Sequence, residues 1–130
     1  MHRLYAAFFM VLPLCMAAHA EGLHAVRPLP GYVCLKLALS PEQVADPTRG
    51  VPIRDAPALS GHIVGWVPSV VIAPASQQPN SGFIQVLFPD GRRGWTQAVA
   101  LKPWSSDYNP DQRCIPSVMS NGLIAFDFRK

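Results

Sequence analysis

Between Tyr32 and Leu39 the chain alternates, with Tyr32, Cys34, Lys36 and Ala38 on one side, and this period of two predicts a strand. Short apolar runs at His62–Val67, Val70–Ala73, Phe83–Phe88 and Gly94–Thr96 predict four more, and Leu123–Phe128 a last one after the Asn121-Gly122 turn. Turn-forming clusters separate them: Gln78-Pro79-Asn80-Ser81-Gly82, then Pro89-Asp90-Gly91. An Asp-Gly pair between apolar runs is a strong hairpin signal. Ser40-Pro41-Glu42-Gln43 has the order of a helix start, with Ser as N-cap, Pro in the first position and Gln three residues after the cap. Pro47 limits that helix to a turn or so. Glu21 to Pro30 reads as an extended arm, stiffened towards polyproline II by Arg27-Pro28-Leu29-Pro30. Many short strands with regular punctuation and no internal repeat predict an all-β fold, a small sandwich or barrel.

The first twenty residues follow another pattern. A basic start, Met1-His2-Arg3, leads into an apolar stretch from Leu4 to Met16, and Ala18-His19-Ala20 supplies small residues at the two positions a signal peptidase reads. This is the arrangement of a secretory signal peptide cleaved after Ala20. The apolar run is shorter than the roughly 20 residues of a membrane span, so no stable membrane insertion is expected once the leader is gone. Leu14 before Cys15, where a lipidated cysteine has a small neighbour, argues against a lipoprotein. The expected location is the periplasm or the medium.

Removal of the leader leaves about 110 of the 130 residues, enough for one domain, read as 21–130. The 14 prolines exclude a helical bundle, since proline breaks helix interiors. The formal charge of +3 loses Arg3 with the leader and is too small, without a clustered basic face, for a nucleic-acid binder. Cys34 and Cys114 then have one possible connectivity, and an oxidising compartment favours it over two free thiols. A bridge between them closes a loop of about 80 residues, worth roughly 4 kcal/mol in chain entropy.

Ile53-Arg54-Asp55-Ala56-Pro57-Ala58-Leu59-Ser60-Gly61-His62-Ile63-Val64-Gly65 has the order of a hydrophobic-Arg pair, a short loop with Pro, a polar stretch and an apolar strand. Gly82-Phe83-Ile84-Gln85-Val86 follows as a central strand, Gly91-Arg92-Arg93-Gly94-Trp95 as a G-x-x-G-W hairpin, and Val99-Ala100-Leu101 as a closing strand. Together these segments, about residues 50–103, resemble a bacterial SH3-like domain. Pro68-Ser69 departs from the glycine usual after the first apolar strand. The resemblance implies a small SH3-like barrel, wrapped here by extensions 21–49 and 104–130 that the disulfide ties together.

Within that frame Gly91 and Gly94 serve hairpin geometry, Trp95 closes the core, and Arg54 braces the loop ending at Pro57. Arg92 and Arg93, at a hairpin tip, are either solvated or contact an anionic surface. Trp104 and Tyr108 lie outside the module and either pack over it or form an aromatic ligand platform. Catalytic chemistry finds no support. His24 and His62 are the only histidines beyond the leader, and there is no H-E-x-x-H, zinc-spaced Cys pair, phosphate-cradling loop, G-x-S-x-G or S-x-x-K. A Cys-His dyad needs a free thiolate, which the disulfide removes. Asp107 and Asp111, four apart in a Pro-containing loop, read as solvated. No catalytic residue, metal or cofactor is expected. The resemblance implies a non-catalytic binding module of the bacterial cell envelope, with peptidoglycan or its peptides as ligand. A periplasmic protein-interaction or inhibitor protein is the alternative, and a cell-wall hydrolase comes behind both.

Overall fold

In the structure, a computed structural model, residues 22–38 and 50–130 are described. The leader read over 1–20 and the helix start at Ser40 lie outside them. The strands are β1 (Ala25–Pro28), β2 (Tyr32–Leu37), β3 (Pro52–Arg54), β4 (Ile63–Trp66), β5 (Val70–Pro74), β6 (Phe83–Leu87), β7 (Arg93–Gln97), β8 (Leu101–Pro103), β9 (Arg113–Met119) and β10 (Ile124–Arg129). One 3-10 turn, Ala98–Ala100, precedes β8 where a strand was expected from Val99. Two antiparallel sheets result: seven strands in the order β4-β3-β7-β6-β5-β2-β8, and three in the order β1-β9-β10.

The seven-stranded sheet buries one face around a single cluster. Val51, Ile53, Val67, Val71, Ala73 and Val86 form it, and Leu35, Leu37, Phe88 and Leu101 pack against it. Residues from both ends of the strand order share this core, so the sheet curls round it. It does not close: among the described residues no pair joins β4 to β8, so the expected barrel is an open, curled sheet. Its joints are narrow, with β5 meeting β6 through Ile72–Leu87 and β3 meeting β7 through Arg54–Trp95.

β5 explains how the second sheet docks. Val71, Ile72 and Ala73 are all buried, although alternation would expose one of them. Val71 and Ala73 enter the core, while Ile72 faces the other way beside Cys34 and Leu87, where the three-stranded sheet covers it. A strand buried on both faces reads as a continuous apolar run. The Cys34–Cys114 disulfide joins β2 to β9 across the two sheets, with Cα atoms 6.1 Å apart. The Ile124 N–H adds a tie by donating to the Pro89 carbonyl at 2.8 Å.

Three expectations are corrected. The arm Arg27-Pro28-Leu29-Pro30 is not a free polyproline segment: its first half is β1, paired with β9 across an irregularity between Ala25 and Arg27. An edge strand tolerates Pro28, and Leu29 N–H continues the pairing by donating to the Pro116 carbonyl. β9 itself was not expected, because Pro116 interrupts its pattern. Trp95 does not close the core; it lies opposite Gln85 and Arg54, and the buried positions of β7 are Gly94 and Thr96. Thr96, fully buried, donates its hydroxyl to the Pro52 carbonyl at 3.1 Å.

Candidate functional site

Lys36 interrupts an otherwise apolar β2 on the side turned away from the core. Its side chain is mostly covered, and its ammonium donates to the Ser105 carbonyl at 2.8 Å and to Asp107 Oδ1 at 3.2 Å. These bonds hold the start of the segment that leaves β8. Trp104 N–H donates to the Cys34 carbonyl, continuing the β2–β8 pairing by one step. Ser106 Oγ then accepts from the N–H groups of Tyr108 and Asn109, and the Asn109 side chain accepts from Asp111 N–H. Local bonds of this kind let Ser and Asn set turns without regular structure. The segment ends at the disulfide, so it is fixed at both ends.

Between this segment, β2, the start of β5 and the end of β10 lies an open cleft of about 450 Å³. Trp104 and Phe128 form its aromatic wall, with ring centroids 5.3 Å apart and planes tilted by 40°, and Phe126 continues the row. Tyr108 stands at the rim, 99% exposed. Among the described residues Lys36 and Asp107 are the only charged ones of the lining, and Ser69, Ser105 and Gln112 add polar side chains.

The structure thus brings Trp104 and Tyr108 together and leaves the two candidate arginines elsewhere. Arg92, at the β6–β7 turn, donates to Asp90 Oδ2 at 2.6 Å and lies over the Phe88 ring, 5.2 Å from its centroid. Arg93 donates to Gln85 Oε1 and to the Tyr32 hydroxyl on the sheet face away from the core. The Asp90 carboxyl is held below its ordinary pKa of 3.8 by the Arg92 backbone N–H and then by the Arg92 guanidinium. Arg54 donates to the Gly61 carbonyl at 2.9 Å across the loop that contains Pro57. Sequence reasoning missed Lys36, Phe128 and Gln112. A lone charge within an apolar strand was the available signal for Lys36, and the alternate aromatics of Phe126-Asp127-Phe128 were the signal for Phe128.

A second feature was also missed. Trp66 is 58% exposed on β4, beside exposed Ile63 and Val64. It borders an apolar slot of about 290 Å³ lined by Ile72, Leu87, Phe88, Ile124 and Phe126 among others, with no charged residue among the described ones. β4 is an edge, paired with β3 alone among the described residues. Opposite Trp66, Pro52 turns its carbonyl to Thr96 on the β7 side, so Trp66 directs its own N–H and C=O out of the sheet.

Both Sγ atoms of Cys34 and Cys114 are engaged in their bond, so neither is a thiol nucleophile in this state. That bond points to an oxidising, extracytoplasmic environment. Among the described residues no helix is long and apolar enough to cross a membrane. The chain matches no protein-family model, no curated protein and no solved structure.

Proposed function

We propose that this chain is an exported, non-catalytic binding module of the bacterial cell envelope, with an SH3-like core over about residues 50–103, that holds peptidoglycan in the Trp104 cleft. One observation carries the reading. A strand-borne lysine, a double-anchored segment and a terminal strand converge to hold aromatic and polar side chains around an open cleft of small-molecule size. The leader read over residues 1–20 and the disulfide support export to the periplasm or medium. The test is co-sedimentation of the exported protein with purified sacculi at low and moderate salt. The protein is expected in the pellet, and the Trp104→Ala, Tyr108→Ala double variant in the supernatant. Wild-type protein that stays in the supernatant at both salts removes the reading.

The β4 edge favours a second reading, a periplasmic protein-interaction or inhibitor role. Unpaired strand edges with apolar side chains are templates for another chain. A charge at the edge, Val64→Lys, is expected to abolish a protein contact made there and to leave sacculus binding intact. A partner retained by that variant excludes the edge as its dock.

A further inference from the structure

We infer that the Trp104 cleft takes a saccharide, the glycan part of a cell-wall polymer rather than its peptide. The inference rests on the cell-wall reading and narrows it. Among the described residues Lys36 and Asp107 are the only charged ones in the lining, and they are paired with one another at 3.2 Å, so these residues lend the cleft no net charge. An acidic peptide would need a cation, and the one cation that the described residues place in the cleft is already matched. β8 and β10, which border the cleft, are edges of their sheets among the described residues, so an extended peptide is the competing ligand that the titration below separates.

What the cleft offers is a mixture of hydrogen-bonding groups beside rings. The Lys36 ammonium has three N–H donors, of which two are used among the described residues. Asp107 is bonded through one oxygen and its side chain is 81% exposed. Ser106 Oγ accepts two backbone N–H groups and keeps its own O–H to donate. Among the described residues no hydrogen bond engages the side chains of Ser69, Ser105 or Gln112. The cleft therefore offers both donors and acceptors beside an aromatic wall. A sugar ring has the matching surface, with C–H faces that lie against an aromatic ring and a rim of hydroxyl and amide groups. Trp104 and Phe128 supply the wall, and Tyr108 at the rim has a ring open to a ligand.

The experiment is an NMR titration of the exported chain with a β-1,4-linked N-acetylglucosamine tetramer and, separately, with an acidic cell-wall peptide, alongside sacculus co-sedimentation. The tetramer is expected to shift the Trp104 indole N–H and the backbone of 104–112, with no comparable response to the peptide. Tyr108→Ala should weaken tetramer binding by up to about tenfold, the scale of one lost stacking contact, and Tyr108→Phe should retain it. Because Tyr108 is solvent-exposed, these variants report binding rather than folding. If sacculi bind but the peptide shifts Trp104 and the tetramer does not, the saccharide assignment is overturned and the cell-wall reading stands. If neither sacculi nor tetramer binds, both are lost.

Discussion

A methyl group at Gly94 would collide with Cγ2 of Ile53 and come within 3.2 Å of Phe88. Ile53 is itself buried in the core, so it has little room to yield. Gly94→Ala is therefore expected to destabilise the protein by about 1–3 kcal/mol, the usual cost of overpacking, read as a lower urea midpoint. Gly91 has a different reason to be glycine: its φ is +88° and nothing lies within 4 Å of an added Cβ. Gly91→Asn should lower the midpoint less than Gly91→Ala, because Asn tolerates the left-handed region better than other residues with a Cβ. Asp90, in the same turn, gives a pH signature. Its folded pKa is depressed, so its contribution is complete above 3.8 and is lost as pH falls through the lowered value. A carboxyl-carbon NMR titration should place its midpoint below 3.8. Arg92→Ala should raise it only part of the way, since the backbone N–H of residue 92 remains. At this scale the sequence was uneven: Asp90-Gly91 announces its turn, but nothing local distinguishes the steric need at Gly94 from the conformational need at Gly91.

Among the elements, β6 shows how a side chain can stand in for a strand. β5 reaches it at Ile72–Leu87, and further along Gln77 takes over: its amide donates to the Gln85 carbonyl at 2.9 Å and its oxygen accepts the Gln85 N–H at 2.8 Å. Gln77→Ala leaves two backbone groups unpaired and should cost roughly 1–3 kcal/mol. Hydrogen exchange at the Gln85 amide should accelerate, and Gln77→Glu, which keeps only the acceptor, should fall between. Strands with a period of two or an apolar run were legible, and β2, β5, β6, β7 and β10 lie within a few residues of their expected positions. β1 and β9 were not, because proline removes a ladder donor and argues against a strand on local grounds. Their pairing depends on a neighbour about 90 residues away, and Pro116 is accommodated with its carbonyl accepting from Leu29. The cleft was half legible for the same reason. Trp104 and Tyr108 stand out as aromatics in a polar loop, whereas Lys36 and Phe128 join them only through the pairing of distant strands.

For the whole molecule, the disulfide is the main covalent constraint between the two sheets. Cys34→Ala, Cys114→Ala is expected to lose about 4 kcal/mol, the entropy scale for an 80-residue loop, measured by chemical denaturation. Exchange protection should fall more in β1, β9, β10 and residues 104–112 than in the core strands β6 and β7. Equal loss everywhere would show that the two sheets unfold as one unit. The disulfide pairing was legible because reading residues 1–20 as a leader sets Cys15 aside and leaves two cysteines with a single choice. The open edge of the curled sheet was not, because closure is decided by strand twist and register rather than by composition.

The pairing of Ala25 with Met119 also bears on assembly, since it joins the two ends of the described chain. A chain delivered amino end first presents β1 and Cys34 long before β9 and Cys114 exist to receive them. The seven-stranded sheet can form from strands complete by Pro103, while Cys34 remains a lone thiol on its outer face. The second sheet needs strands from both ends of the chain, and its formation both pairs β1 with a partner and retires that thiol. A chain stopped after Pro103 should accumulate as mixed disulfides through Cys34, detectable on a non-reducing gel, because β9 and Cys114, the partners of β1 and Cys34, lie beyond it.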